Sequence, residues 1–555
     1  MSSGEKEQKR MTRREFVKGA AVGAAAVAGA GVLAGCKKET PTPTSAPVPE
    51  PSAKTSAATP TPVPQKWDYE ADVVVAGAGA TGLPAAIEAA ELGVSVILVD
   101  KNFRVGGFGM ICGGVVGLGG GTRLQEKNGI EDSADLIFKD ITDYKDVEFK
   151  KNDRALARAY ADNNADAFQW LEEHGVKFLD QVTPVLQSTW GWGAPRCHYA
   201  DNPTTSWEDG IPRGGAGVFM PLEAVAREKG FPILLEHALT GIIREKPLEG
   251  KVIGIEVEHE GRKLYIRARK GVIIATGGPK GNVELRRVFD PRLTEEYQAT
   301  GEPWCFDTGD GIIAAQAIGA QLCSDKGVDQ HWLIKRSTIG CRYASGFSPD
   351  SPVFHLQRAT GLGVKDWQDC ICVKKSGLRF ANEVAGGFGE TQIPISDAAM
   401  ADGGGPIWAV FDAEAVEREG WDLGSQSVEP EFFFSGDTIA ELAGKINVPA
   451  SALQETVEKY NSYVDSGEDP EFEKPTPTYK IQTPPFYAAW ATPVLHDTRA
   501  GLRINERSQV IDVYAKVIPG LYTGGEAAGG LSVLGIARAA IQGLIAARDA
   551  VAATP

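Results

Sequence analysis

Residues 72–100 read DVVVAGAGATGLPAAIEAAELGVSVILVD, and this stretch decides the fold. A short apolar run leads into three glycines spaced G-x-G-x-x-G, then an Ala-rich segment with helical periodicity, then a second apolar run that ends on an acidic residue. This order predicts a strand, a tight turn, a helix and a second strand, the arrangement that binds a dinucleotide. A purely structural βαβ unit is the alternative interpretation.

Each part of this stretch has a physical role. Gly77 permits the tight turn, Gly79 lets a pyrophosphate approach the backbone, and Gly82 lets the helix pack on the strand. The exposed N–H groups at the start of the helix are expected to hold the phosphates. Asp100, at the end of the second run, is expected to accept hydrogen bonds from ribose hydroxyls.

Length and composition narrow the class of protein. The chain has 555 residues, 43% of them hydrophobic, which predicts about three or four domains or one large two-domain enzyme. The net charge is -16 and no long basic run lies beyond the first residues, so the composition argues against binding to nucleic acid. The 65 glycines cluster in short loops rather than in repeats, which suits a backbone that passes close to a large cofactor.

Residues 1–36 have the pattern of a targeting segment. The segment TRREFVK, residues 12–18, is similar to the twin-arginine export signal, and a weakly hydrophobic stretch rich in Gly and Ala follows it. Residues 33–36, LAGC, then resemble a bacterial lipobox, in which the cysteine (here Cys36) is lipidated after cleavage. A transmembrane helix is the alternative, but the apolar stretch is shorter than the ~18–20 residues that a span requires.

Residues 37–66 are rich in Pro, Thr, Ser and Ala, cannot bury a core, and are therefore expected to form an extended tether. Cleavage before Cys36 takes away six basic and three acidic side chains, which leaves a still more acidic body. Such a body gains nothing from an anionic lipid surface, so we expect acyl chains on Cys36 to anchor it to the membrane. The sequence therefore predicts a lipoprotein of the bacterial cell envelope that is exported by the twin-arginine route and faces outside the cytoplasm.

The cysteines do not point to a metal centre. Of the eight cysteines, seven remain when Cys36 is set aside, and an odd number leaves at least one free thiol if the others pair. The chain has neither a C-x-x-C-H haem site nor a ferredoxin-like cysteine run. We expect most of these cysteines to be buried apolar thiols, and no metal to be bound.

Several segments beyond Asp100 carry a specific resemblance. They are a glycine loop with Gly106-Gly107 and Gly113-Gly114, the segments GTRLQ (121–125) and GIEDS (129–133), ATGG (275–278), TGDG (308–311), GLRFANE (377–383), PFYA (485–488) and IPGLYTGGE (518–526). Together they resemble the FAD-dependent fumarate reductase and succinate dehydrogenase flavoprotein superfamily, in its soluble single-chain branch. That branch includes flavocytochrome fumarate reductases, urocanate reductases and 3-oxosteroid dehydrogenases, and the resemblance covers about residues 67–555.

The resemblance implies an α/β fold, in which a Rossmann-like FAD-binding domain carries an inserted α+β capping domain. The expected divisions are 67–330 and 486–555 for the two parts of the FAD-binding domain and 331–485 for the cap, which closes over substrate. Arg379 and Glu383 are expected to tie the cap together. The residues expected to bind FAD are Gly77, Gly79, Ala80, Gly82, Asp100, Lys101, Gly106, Gly107, Gly113, Gly114, Thr276, Gly277, Asp310, Gly525 and Glu526. Among these, the resemblance implies that Glu526 binds the ribityl chain.

The chain departs from this family where substrate would bind. The arginine that delivers a proton in fumarate reductases is absent near residues 386–388, and their second substrate-binding histidine is replaced by Asp497. The position of their carboxylate-clamping arginine falls on Leu534, with Arg538 close but shifted. Near the flavin, Phe108-Gly109 replaces a polar pair and Cys112 replaces a serine. Fumarate is therefore not the expected substrate, because clamping two carboxylates takes charged, bidentate partners.

The reaction needs hydride transfer at the flavin and a proton donor or acceptor opposite it. The candidates are His331, Tyr343, Tyr487, His496 and Arg499, and the last two rank highest because they adjoin the segment that returns to the flavin. Each could instead be an ordinary core or surface residue. Six tryptophans suggest an aromatic pocket, with a place in the core as the alternative: Trp190, Trp192, Trp207, Trp304, Trp332 and Trp367.

Three functions remain open from sequence. The first is an FAD-dependent oxidoreductase that reduces or forms a C=C bond next to a carbonyl of a small molecule. The second is an enzyme similar to 3-oxosteroid dehydrogenases. The third is a lipoprotein that carries electrons on its flavin without catalysis of its own. Since the chain has no haem or iron–sulfur pattern, each requires a separate electron partner, a membrane quinone or a cytochrome.

Overall fold

The computed structural model describes residues 59–143, 152–184, 192–201, 214–297, 299, 307–323, 328–331, 338–341, 361–384, 405–425, 428–492 and 494–553. The predicted signal, its Cys36 and most of the predicted tether lie outside these residues. So do Tyr343, four of the six tryptophans named above (Trp190, Trp207, Trp304 and Trp332), and residues 386–388.

The described strands, numbered in chain order, are β1 (Tyr69–Ala76), β2 (Val96–Val99), β3 (Val115–Gly117), β4 (Cys197–Tyr199), β5 (Ile233–Leu234), β6 (Ala238–Lys246), β7 (Glu249–His259), β8 (Arg262–Ile274), β9 (Leu322–Cys323), β10 (Val328–His331), β11 (Thr338–Ile339), β12 (Leu362–Gly363), β13 (Ile371–Lys374), β14 (Ile407–Phe411), β15 (Phe433–Gly436), β16 (Phe486–Trp490), β17 (Val494–Thr498), β18 (Gly501–Leu502), β19 (Gln509–Ile511) and β20 (Val517–Thr523). The described helices are α1 (Gly82–Glu91), α2 (Arg123–Lys127), α3 (Ala134–Asp143), α4 (Arg154–Asp162), α5 (Asn164–Glu173), α6 (Ala216–Lys229), α7 (Val283–Phe289), α8 (Asp310–Ala317), α9 (Ala413–Glu419), α10 (Ile439–Lys445), α11 (Ala450–Ser466) and α12 (Gly535–Ala552).

The main sheet is built on the first strand. Strands β20, β8, β1, β2 and β5 lie side by side in this order, and all of these neighbours are parallel. All four residues of β2 and the last four of β1 are buried, as expected for parallel strands covered by helices on both faces. Helix α1 makes the crossover from β1 to β2, which confirms the Rossmann-like prediction.

An antiparallel layer extends the main sheet. Strand β8 is long enough to pair with β1 and also with β7, which pairs in turn with β6. Helix α12 packs against α1 on the face of the main sheet. The chain therefore returns from its last strand, β20, directly to the beginning of the nucleotide-binding unit.

A second sheet of four antiparallel strands has the order β13-β14-β16-β15. Its two faces pack into separate apolar clusters, one of which includes residues of α10 and α11. This α+β unit lies in the part of the chain where the capping domain is predicted. Strand β16 (Phe486–Trp490) begins just after the predicted cap boundary and pairs within this sheet, while the division into domains stays a prediction.

A buried ionic network ties the second unit together, as predicted for Arg379 and Glu383. The guanidinium of Arg379 donates to both carboxylate oxygens of Glu383 at 3.0 and 2.8 Å and pairs with Asp469 at 2.9 Å. The ammonium of Lys474 lies 3.4 Å from Glu383 and donates to two backbone carbonyls. All four side chains are almost wholly buried, so each charge depends on its partners.

No helix among the described residues is both long and apolar enough to cross a membrane.

We expect Glu383→Gln to lower the free energy of unfolding by about 3–5 kcal/mol, because it leaves Arg379 and Lys474 buried with less counter-charge. Urea unfolding followed by tryptophan fluorescence measures the change. The matched control is Glu441→Gln, which removes an exposed pair with Lys445 and should have little effect. A loss no larger than that of the control would show that the network contributes nothing specific.

The pH dependence of this loss has a definite sign. Burial by itself raises the pKa of Glu383, but Lys474 and Arg379 lower it further, and the net pKa lies below its usual value. The stabilisation is therefore present above the unfolded pKa of about 4.3 and is lost as the pH falls through the folded pKa. The difference between Glu383→Gln and the wild type should shrink in acid.

Candidate functional site

The first glycine turn, between β1 and α1, contains glycines with different surroundings. A Cβ atom added to Gly77, whose φ is +108°, would collide with the carbonyl oxygen of Ala275, and one added to Gly82 would collide with the carbonyl oxygen of Gly77. These two positions require glycine because backbone passes too close for any side chain. At Gly79 the nearest atoms to an added Cβ are 3.9 Å away, in the next glycine loop. The space at Gly79 is open, as the approach of a pyrophosphate requires.

The N-terminus of α1 follows this turn directly, with Ala80 between the open glycine and the helix. Thr81 precedes the helix without capping it through its side chain, and the first turn holds no acidic residue. Leu83 donates its N–H to the carbonyl of Gly79 and Pro84 has no N–H, so this end of the ten-residue helix offers an anion the N–H of Gly82 together with the helix dipole.

Asp100 lies at the carboxyl end of β2, beside the same turn. One of its carboxylate oxygens accepts the N–H of Ala78 at 2.6 Å, and the other accepts the N–H of Asn102 at 2.7 Å. Burial raises the pKa of this carboxyl group, although both backbone hydrogen bonds oppose the shift. The carboxylate is thus held in place by backbone donors, and its remaining lone pairs can accept ribose hydroxyls.

Three other predicted FAD residues meet at the start of α8. The ammonium of Lys101 pairs with the carboxylate of Asp310 at 2.8 Å, and the hydroxyl of Thr308 donates to the same carboxylate at 2.8 Å. The hydroxyl oxygen of Thr276 accepts the N–H of Gly311 at 3.2 Å. These contacts join α8 to the ends of β2 and β8. Gly277 follows with a φ of +75°, and its close neighbour is Asp307.

The second glycine loop lies against the first. The N–H of Gly106 donates to the carbonyl of Ala78 at 2.9 Å, and a 3₁₀ turn runs from Gly107 to Ile111. Gly113 and Gly114 follow before β3, and a Cβ on Gly114 would lie 2.5 Å from the backbone of Gly214. The predicted residues of this loop therefore adjoin the nucleotide-binding turn.

Cys112, in the place of the family's serine, is a weak hydrogen-bonding group. Its thiol donates to the carbonyl of Gly109 at 3.1 Å, and burial raises its pKa to about 11. The thiol stays neutral at physiological pH and is not a nucleophile. Cys112, Cys370 and Cys372 are free thiols, and Cys305 lies outside the described residues.

The segment after β20 closes the site. Gly525 lies against the hydroxyl of Thr81, at the start of α1, and its N–H donates to the side-chain oxygen of Gln542 on α12 at 2.8 Å. The two glycine motifs, 448 positions apart when counted from Gly77 to Gly525, therefore meet at one place. Glu526 follows and points into a charged cluster.

The carboxylate of Glu526 accepts hydrogen bonds from the ammonium of Lys280 and the hydroxyl of Thr498, each at 3.0 Å. Lys280 also pairs with the carboxylate of Asp307. Burial raises the pKa of Glu526 to about 7, and Lys280 opposes the shift. Sequence reasoning missed Lys280, Asp307 and Thr498 as members of the site. The one available signal was a lysine in a turn of small residues directly after a buried strand.

The histidine candidates lie on paired strands. His331 ends β10, His496 lies in β17, and the two strands are antiparallel with His331 opposite Val494. The backbone therefore brings the two residues onto neighbouring strands, while their side chains lie outside the part of the structure that is described. Arg499 follows β17 immediately, and its side chain is half-buried. Their role in proton transfer stays a prediction.

Tyr487 lies in the second sheet, on β16 and opposite Phe411 of β14. Its ring stacks on that of Phe411 with 5.5 Å between centroids and lies 5.6 Å from that of Phe433. Burial raises the pKa of its hydroxyl. The described ring contacts of Tyr487 are those of a packed core residue, and its role in proton transfer is likewise still a prediction.

Leu534, which the resemblance assigns to the position of the carboxylate clamp, has apolar surroundings. Leu534 packs so closely on β3 that a Cβ on Gly117 would collide with it. It belongs to an apolar cluster with Val115, Cys197 and Trp192. Trp192 and Trp367 are both buried in apolar clusters, which favours the core interpretation for these two tryptophans.

Arg538, one turn along α12, is buried with its guanidinium already committed. It donates to the carbonyls of Leu531 and Thr498 at 2.8 and 3.0 Å. Burial lowers its pKa. Two of its five N–H groups therefore hold backbone together, whereas its buried Nε makes no hydrogen bond within the described part of the chain.

Comparisons with known proteins agree with this geometry. Residues 72–540 match the family described as FAD binding domain. A probable fumarate reductase of Shewanella frigidimarina is 29% identical over 455 residues, which cover 82% of this chain and 69% of the relative. A 3-oxosteroid 1-dehydrogenase of Mycolicibacterium smegmatis is 29% identical over 352 residues, 56% of each chain. The solved open conformation of a flavocytochrome c3 fumarate reductase is 27% identical with a TM-score of 0.65, and the match covers 87% of this chain and 78% of that one.

We expect Gly79→Val to fold but to bind FAD at least about tenfold more weakly, because the new side chain fills the space left for the pyrophosphate. Gly82→Ala should instead destabilise the protein, because its Cβ meets backbone. Thermal unfolding and titration of FAD-depleted protein with FAD separate the two effects. Gly444→Ala, on α10 with no atom within 4 Å of the added Cβ, is the matched control. Full FAD affinity in Gly79→Val would show that the cofactor does not pass this turn.

Proposed function

This chain belongs to the FAD binding domain family, and we propose that it is an exported, lipid-anchored enzyme that reduces or forms a C=C bond next to a carbonyl group. The proposed substrate is less charged than fumarate. Its cofactor is FAD, and it is an oxidoreductase of the fumarate reductase and 3-oxosteroid dehydrogenase family.

The chemistry divides between the cofactor and the chain. When bound, FAD supplies the hydride acceptor or donor. The open turn at Gly79 and the N-terminus of α1 are proposed to hold the pyrophosphate, Asp100 the ribose, and Glu526 the ribityl hydroxyls. The proton is proposed to be held by His496 or His331 on the paired strands β17 and β10, with Arg499 stabilising negative charge that develops beside them.

The single observation that carries the choice of substrate is the apolar surrounding of Leu534. Where fumarate reductases place a clamping arginine, this chain packs Leu534 with Val115, Cys197 and Trp192. The nearby Arg538 is committed to two backbone carbonyls. Leu534 itself offers a dicarboxylate no charged, bidentate partner, whereas an apolar enone or enoate would bury its hydrocarbon part against the apolar side chains of this cluster. The proposed substrate is therefore not fumarate.

The same apolar cluster around Leu534 favours a second candidate function, an activity similar to that of 3-oxosteroid dehydrogenases. A relative with that name shares 29% of its residues with this chain over the matched region. The two candidates differ in the size of the substrate and in the direction of the reaction. A third possibility, a flavin-binding electron carrier without catalysis of its own, follows from the missing arginines and is excluded if any substrate reoxidises the flavin rapidly.

The electron partner and the location are part of the proposal. One relative is a probable fumarate reductase and a similar solved structure is a flavocytochrome, so a cytochrome or a membrane quinone is the proposed source or acceptor of electrons. The twin-arginine pattern at residues 12–18 and the lipobox that ends on Cys36 support export and anchoring at the cell envelope.

We expect the anaerobically reduced flavin of this protein to be reoxidised at least about tenfold faster by apolar α,β-unsaturated ketones or acids than by fumarate. Only the apolar compounds can bury hydrocarbon against the apolar side chains around Leu534. Stopped-flow absorbance of the flavin measures the rates. The oxidised protein is tested in parallel with 3-ketosteroids and an artificial electron acceptor. Fumarate as the fastest oxidant would contradict the proposal, and no reaction with any compound would leave the electron carrier as the better description.

We expect Cys36→Ser to move the protein from the membrane fraction to the soluble fraction of the envelope, because the acyl anchor is lost. Replacement of Arg13 and Arg14 by lysine should instead keep the precursor inside the cell. Fractionation followed by immunoblotting reads out both variants. A Cys36→Ser protein that stays with the membrane would rule out lipidation at this residue as the anchor.

A further inference from the structure

A lysine with no solvent exposure lies in the turn between β8 and α7. The ammonium of Lys280 is 3.0 Å from a carboxylate oxygen of Glu526, pairs with the carboxylate of Asp307, and lies 3.9 Å from the centroid of the Phe108 ring. Its side chain is 0% exposed. Side chains from three other segments of the chain, around residues 108, 307 and 526, therefore surround this one cation.

The backbone around Lys280 holds this arrangement in place. The N–H of Gly281 donates to the carbonyl of Asp307 at 2.8 Å, and a Cβ on Gly277 would lie 2.5 Å from the carboxylate of Asp307. A Cβ on Gly278 would collide with the hydroxyl of Thr498, which itself donates to Glu526. Gly277 and Gly278 therefore have no room for a side chain. The close packing of this turn fixes the backbone that carries Lys280, and with it the position of the ammonium.

The charges that act on Glu526 come from several elements packed around it. Lys280 from the turn after β8 and Arg538 from α12 are cations, whereas Asp307 from the loop before α8 and Asp497 from β17 are anions. Arg499, just after β17, is a further cation that acts on Arg538. Among the described residues, three carboxylates and three cations therefore share this region. A buried carboxylate close to other carboxylates takes up a proton unless a cation compensates it. Lys280 is the cation that contacts Glu526 directly.

We propose that Lys280 is a positioning residue for the cofactor: its ammonium keeps Glu526 ionised and oriented to accept the ribityl hydroxyls of FAD, so that FAD binding depends on this internal counter-ion. The inference rests on the proposed role of Glu526 and is independent of which substrate the enzyme uses. A carboxylate accepts hydroxyl hydrogen bonds more strongly than a protonated carboxyl group does, which links the charge of Lys280 to the affinity for FAD.

The proposal has a pH signature with a defined sign. Burial raises the pKa of Glu526 to about 7, and Lys280 opposes this, so loss of Lys280 raises the pKa further. At pH 8 most of the wild type then holds Glu526 as a carboxylate, and Lys280→Met should hold a larger protonated fraction. At pH 5.5 both proteins should hold it mainly protonated. The effect of the substitution on FAD affinity is therefore largest in mild alkali and disappears in mild acid.

The test is a double-mutant cycle on FAD binding. FAD-depleted wild type, Lys280→Met, Glu526→Gln and the double variant are titrated with FAD from pH 5.5 to 8.5, with flavin fluorescence as the readout. At pH 8 we expect each single variant to raise the Kd by at least about tenfold, and the double variant to be no weaker than the worse single variant by more than about threefold. At pH 5.5 we expect Lys280→Met and the wild type to agree within about threefold.

Two controls accompany the cycle. Lys280→Arg keeps the positive charge and should stay closer to the wild type than Lys280→Met at pH 8. Lys127→Met removes an exposed lysine that pairs with Asp180 and should leave the Kd unchanged.

Several results would overturn the proposal. Losses from Lys280→Met that are independent of pH and additive with those from Glu526→Gln would reduce Lys280 to a packing role. An unchanged Kd in Glu526→Gln would remove the premise that Glu526 binds FAD, without touching the proposed reaction, which the substrate panel tests separately. An unchanged Kd in Lys280→Met would show that FAD binding does not depend on Lys280 as a counter-ion.

If Lys280→Met does not fold, the variant Asp307→Asn tests the same proposal. Asp307 raises the pKa of Glu526, so its neutralisation should lower that pKa and move the acid-side loss of FAD affinity to lower pH. A pH profile that stays in place or moves to higher pH would contradict the proposal.

Discussion

The close approach of backbone to backbone at the carboxyl ends of β1 and β8 is the constraint on which the site depends. The N–H of Ala275 donates to the carbonyl of Ala76 at 2.7 Å, and Gly77 has no room for a side chain against Ala275. Because the strands are parallel, everything that follows their ends meets at one edge of the sheet. The glycine turn, Asp100, the turn that holds Lys280 and the segment with Glu526 are all placed by this one arrangement.

Buried charges are paired with opposite charges in two networks, one in each part of the molecule. In the second sheet unit, Arg379 and Lys474 share the carboxylates of Glu383 and Asp469, and the network joins strands to a loop. In the nucleotide-binding unit, Lys280 joins Glu526 to Asp307 beside the open turn. Each network is stable only while both signs are present, since an unpaired buried charge is strongly unfavourable. The second lies beside the glycine turns that are predicted to hold the cofactor.

Much of the fold and of the cofactor site could be predicted from local pattern. The spacing of Gly77, Gly79 and Gly82 between two apolar runs has one common structural solution, and the strands and helix lie where the pattern predicts them. Lys280 could not be assigned in this way, because a lysine in a turn is most often a solvated surface residue. Only the meeting of distant segments makes it a buried counter-ion. Leu534 shows the same limit, since its apolar neighbours come from β3, β4 and the segment before β4.

The sequence by itself determined the α/β class and the dinucleotide turn, because glycine spacing, strand patterning and an acidic strand end are local properties. The choice of FAD, and the expectation that the arginines that clamp a dicarboxylate are missing, follow instead from the resemblance of later segments to a flavoprotein family. The tertiary structure decided which charges share a site, that Arg538 donates to backbone carbonyls, and that Lys280 contacts Glu526 in a buried cluster. Lys280 and Glu526 are 246 positions apart in the chain, and the free energy of a buried charge depends on such neighbours rather than on the residue alone.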